Sequence, residues 1–189
     1  MDSEEDVEIQ PESACESEPD STAEPEAEPQ YGRFLSLLFD TNVSIPRYVL
    51  RAGLISLIPS LAISITLGLL GIMNEETAPE FEGPVIFVGL SMILISPPVE
   101  TLIMAPILKL LSFVSKRRVR LAIMSACTWG IFHSLAAPAW GLGIIWPFFV
   151  FSCCYLAWRK RSFWLAILVT SCVHAFQNTL PALAWMFSQ

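Results

Sequence analysis

Long apolar runs broken by short polar stretches organise most of this chain. Five such runs lie at about 50–73, 84–113, 119–137, 141–158 and 163–187. A helix needs roughly 20 apolar residues, at about 1.5 Å each, to cross a bilayer core. Each run is near that length, so the pattern predicts five transmembrane helices, with the second long enough to be tilted or broken. No internal repeat or heptad is visible. The stretch 31–49 is mixed. Phe34, Leu35, Leu37, Leu38 and Phe39 predict a short helix in the interface. Asp40, Thr41, Asn42 and Ser44 interrupt it, and Pro46 is placed to open the next helix. Residues 1–30 are rich in Glu, Pro and Ser and lack aromatic side chains. They offer too little apolar surface to offset ordering entropy, which predicts a disordered tail, read as a solvated spacer or a partner-binding acidic segment.

Composition agrees with a membrane protein. Hydrophobic residues make up 53% of the chain and mean hydropathy is +0.55, both outside the ordinary soluble range. The net charge of −7 hides two opposite parts. Residues 1–30 hold 12 of the 18 acids and no base, and the remainder carries +5. The fold class expected is therefore all-α, a polytopic bundle over 50–189 behind an interfacial segment (31–49) and an acidic tail (1–30). The opening MDSEEDVEIQ has neither a basic nor an apolar signal region, so no cleavable signal peptide is expected.

The loops predict an orientation. Arg47 and Arg51 precede the first run. Lys116, Arg117, Arg118 and Arg120 separate the second from the third, and Arg159, Lys160 and Arg161 separate the fourth from the fifth. The loop 74–83 holds Glu75, Glu76, Glu80 and Glu82 and no base. Basic loops stay cytoplasmic. Five spans then place the N-terminus inside and the C-terminus on the opposite side, in a multi-pass protein expected in the cell membrane. Trp158 and Trp164 flank the last basic loop as interfacial anchors would.

Candidate chemistry is sparse and therefore legible. After Glu82 the chain has one carboxylate, Glu100, and its only histidines are His133 and His174. All three lie inside predicted spans, where an ionisable group is expensive and a functional site is its default reading. Glu100 lies 13 residues before Phe113, His133 13 residues after Arg120, and His174 13 residues after Arg161. At about 1.5 Å per residue each sits ~20 Å from the cytoplasmic end, a common depth that one site built by three helices would require. Trp129 shares a helix face with His133, and Asn178 with His174, each four residues apart. Pro97 and Pro98 lack amide hydrogens, which predicts freed carbonyls near Ile93 and Leu94 and a broken helix. Ser96 is placed to cap the new start, with Glu100 in its positive first turn. Each residue also has a structural reading: a hydrogen-bonded carboxyl, a satisfied core histidine, or interhelical hydrogen-bond glue.

At these residues the chain resembles the CPBP family of intramembrane proteases, which includes CAAX prenyl endopeptidases and bacteriocin-processing or immunity proteins. The family's motifs are Glu-Glu-x-x-x-Arg, Phe-x-x-x-His and His-x-x-x-Asn. Their counterparts are Glu100 to Ala105, Trp129 to His133 and His174 to Asn178, in the same order and in successive spans over about 84–181. Thr101 stands at the second Glu position, Ala105 at the Arg, and Trp129 at the Phe. The resemblance implies Glu100 as general base, His133 assisting water activation, and His174 and Asn178 stabilising an oxyanion. It implies no cofactor, and membrane lipid and a peptide or lipidated-protein substrate as partners, with no nucleic acid. Two His and a carboxylate also permit zinc bound by Glu100, His133 and His174, although the sequence lacks His-Glu-x-x-His. A non-catalytic scaffold or immunity protein of the same fold, and a proton-linked transport module, are the alternative readings. The five cysteines form no disulfide framework or Cys-x-x-Cys pattern.

Overall fold

The computed structural model describes residues 32–74 and 76–189, and the tail predicted to be disordered lies outside the described residues. Six helices account for nearly all of it. They are α1 (Arg33–Phe39), α2 (Ile45–Leu69), α3 (Val85–Leu111), α4 (Arg118–Ala136), α5 (Trp140–Trp158) and α6 (Phe163–Ser188). The last five are long and apolar enough to cross a membrane. The fold is the all-helical multi-span bundle that the apolar runs predict, with boundaries shifted by a few residues. Pro46 sits in the first turn of α2, so the helix begins five residues before the apolar run. Proline suits that position because the first N–H groups of a helix have no intrahelical partner.

α5 is the central helix. It packs against α4, α6, α2 and α1, and α6 in turn lies between α2 and α3, which follow each other in sequence without touching. α4 and α5 form a tight hairpin whose close approach depends on Gly141. A Cβ there would run into the Gly130 carbonyl and the Ser134 hydroxyl. Exposed side chains around the bundle are large and apolar, among them Ile58, Ile65, Ile86, Phe87 and Leu94. That is the surface a lipid-facing bundle needs and a soluble one avoids. Cys153 and Cys154 are free thiols buried in the core of α5.

α1 docks on this body rather than standing apart. Tyr48 donates its hydroxyl to the Leu38 carbonyl (2.5 Å), and Arg51 donates to the Asp40 carbonyl (2.7 Å) and pairs with the Asp40 carboxylate (3.4 Å). Phe34 meets the Trp146 ring at 5.9 Å. The three contacts join α1 to both α2 and α5.

Prolines inside spans create a recurring need. Each lacks the N–H that would serve a carbonyl one turn back, and lipid offers no substitute. Pro59 frees the Ile55 carbonyl of α2, and the Trp146 indole N–H of α5 donates to it at 2.9 Å. A second helix thus completes the backbone of the first.

Candidate functional site

The segment around Glu100 departs from the expected break. α3 is continuous, and residues Ser91–Ile95 form a turn of π-helix within it. Ser96 makes no cap. Its N–H bonds the Ser91 carbonyl, five residues back. Continued at that spacing, the next N–H would serve Met92, but residue 97 is proline. The Met92 carbonyl is therefore orphaned, one residue earlier than an α-helical count gives. Asn178 of α6 donates its amide Nδ2–H to it at 2.9 Å. A widened turn absorbs the proline pair without ending the helix, as π-bulges often do near functional residues. The expected helix start at Ser96 is thus replaced by a bulge, because a neighbouring helix supplies the missing donor.

Glu100 lies one turn beyond the bulge. The Ser96 hydroxyl donates to its Oε1, while Oε2 is enclosed and has no hydrogen-bond partner. Thr101 is buried with its hydroxyl unpaired, and Ala105, one turn further on, is buried as well.

His133 bonds one turn back through its ring. Nδ1 lies 3.0 Å from the Trp129 carbonyl, which can only accept, so Nδ1 carries the hydrogen and Nε2 is the free nitrogen. Its ring sits edge-on to Trp140 at 4.5 Å and beside Phe148 at 5.3 Å. His174 stacks on Phe151 at 4.3 Å and meets Phe148 at 5.6 Å. The two histidines, from α4 and α6, therefore share Phe148 of α5 as a floor. Trp129 packs under the same ring at 4.5 Å and supports the site from behind.

Glu100, His133, His174 and Asn178 all line one cavity of about 300 Å³. Ser96, Trp140, Phe148 and Phe151 also line it, as do Ser60 and Ser64 of α2. The loop between α2 and α3 contributes Phe81 to the lining, where its ring meets Trp140 at 5.8 Å and Trp185 at 5.7 Å. Walls from five helices thus bring one carboxylate, two imidazoles and two amides into a mainly apolar chamber.

Three features escape a reading of motifs. Gln177 lines the cavity between His174 and Asn178, and only its place on the same face of α6 signals it. The serines of α2 come from a helix without motif, and Phe81 from a loop read only for its charge. Among the described residues no group of three His, Cys, Asp or Glu side chains could hold a metal ion. Comparison with family models, curated proteins and solved structures finds no match to this chain.

Proposed function

We propose that this protein is an intramembrane endopeptidase of CPBP type, in which Glu100 activates a water to attack a peptide bond of a membrane-associated substrate. The observation that carries the reading is the convergence of Glu100, His133, His174 and Asn178 on one cavity from three helices. In this reading the Glu100 carboxylate takes a proton from water, and the hydroxide adds to the scissile carbonyl carbon. Ser96 holds one carboxylate oxygen, and the other has no hydrogen-bond partner of its own. His133 Nε2 accepts the water's second hydrogen bond and orients it. The second N–H of Asn178 and an N–H of His174 donate to the oxyanion, the interaction that usually contributes most to such reactions. Glu100 then returns the proton to the leaving nitrogen as the C–N bond breaks. The loop charges support a cytoplasmic N-terminus and an opposite C-terminus.

The test is cleavage by the purified full chain in lipid, against a mass-spectrometric peptide library that includes prenylated C-terminal peptides. Wild type should cleave and withstand a chelator, while Glu100→Gln and His133→Ala should fold and not cleave. Equal cleavage by all three proteins would remove the proposed site. One observation favours a second reading, a non-catalytic scaffold of the same fold. Asn178 already serves the α3 backbone through Met92. Under that reading Glu100→Gln changes stability or nothing, and no peptide is cut.

A further inference from the structure

Gln177 is a polar side chain in an apolar setting with nothing to bind. Its residue is only 6% exposed, its Oε1 is enclosed, and its amide makes no hydrogen bond with any described residue. It lines the cavity on the same face of α6 as His174 and Asn178. A buried amide left without partners costs free energy comparable to a lost hydrogen bond. The neighbouring Asn178 shows the contrast, because its amide is committed to the Met92 carbonyl. A turn about the soft last torsion of the side chain brings the unused Nε2–H and the enclosed, unused Oε1 to the cavity together, the pair that a peptide ligand requires. In an extended segment the N–H and C=O of one residue point to the same side, as in the hydrogen-bonded pairs of an antiparallel ladder. One planar side-chain amide can meet both.

We propose that Gln177 anchors one residue of an extended peptide in the cavity, its Oε1 accepting that residue's N–H and its Nε2–H donating to the same residue's C=O. The inference names a substrate-binding residue for the site and rests on the proteolytic reading only for the cut that follows binding. It predicts a chain bound extended beside Glu100, with a secondary amide required at the anchored residue. Cavity size agrees. About 300 Å³ is the lower end of ligand sites, roughly 300–1,000 Å³, suited to a short stretch of chain.

The test separates binding from turnover. The probe is N-acetyl-leucine N′-methylamide at millimolar concentration, compared with its N-methylleucine counterpart, which lacks the anchored N–H. Thermal unfolding of the full-length protein in lipid nanodiscs is followed with each. Wild type should be stabilised more by the first probe, and Gln177→Leu should lose that preference. Gln177→Met, of similar length, replaces it should the leucine variant fail to fold. Equal stabilisation of wild type by both probes, no stabilisation by either, or a preference that survives in the variants would overturn the proposal. This readout holds whether or not any peptide is cut, so failure of the proteolytic reading stays distinct. If peptides are cut, Gln177→Leu should raise KM about tenfold with little change in kcat, the pattern of lost uniform binding through one or two hydrogen bonds. Unchanged KM would sink the inference and leave the enzyme standing.

Discussion

Replacing Asn178 with Ala removes the only donor among the described residues that reaches the Met92 carbonyl from another helix, a bond of 2.9 Å. The magnitude follows from where that carbonyl sits. It lies inside a span, at a π turn that has skipped it, with a proline where its next donor would be. An unpartnered buried polar group costs about 1–3 kcal/mol, whereas interhelical side-chain bonds in membranes average ~0.6 and reach ~1.7 kcal/mol. The two ranges overlap at about 1–1.5 kcal/mol, or roughly a five- to thirteenfold fall in the folded-to-unfolded ratio. The decisive variant is Pro97→Ala, which restores an N–H five residues after Met92. In that background Asn178→Ala should cost less, with a coupling of about 1 kcal/mol in a double-mutant cycle. Equilibrium unfolding in bicelles by steric trapping measures all four proteins. Additive effects would show that Asn178 does not stand in for the missing proline hydrogen, and the account of the bulge would fall.

Further outcomes follow from the same geometry. Glu100→Gln should lower cleavage by about 10²–10⁴-fold, the usual share of a general base, while unfolding shows a folded protein; retained cleavage would remove Glu100 from the reaction. Gly141→Ala places a methyl against the Gly130 carbonyl and the Ser134 hydroxyl and should destabilise the α4–α5 hairpin by about 1–3 kcal/mol, read in the same unfolding assay. Trp146→Phe keeps an aromatic ring but withdraws the indole N–H from the Ile55 carbonyl. It should cost about 1 kcal/mol, and this loss should shrink when Pro59→Ala returns the backbone donor.

Much of the architecture was legible because a membrane constrains it so tightly. Lengths of apolar sequence set the five spans, since every backbone polar group in lipid must be satisfied within a helix. The cost of ionisable groups in that solvent also made Glu100, His133 and His174 visible without any structure, and spacing of four residues put Asn178 on the face of His174. The proline pair was read correctly as a source of freed carbonyls and incorrectly as a break. Whether a helix ends or bulges at prolines depends on a donor from elsewhere, and Asn178 is 86 residues away.

What the sequence determined by itself is local or set by the solvent: helix existence, apolar surface, and the faces on which polar groups lie. Tertiary structure decided the relations between helices. It put α6 between α2 and α3, made α5 the shared floor of both histidines through Phe148, and left Gln177 unpaired while committing Asn178 to the backbone of α3. Periodicity fixes the direction of a side chain about its own helix axis, but packing alone determines which neighbour that direction meets.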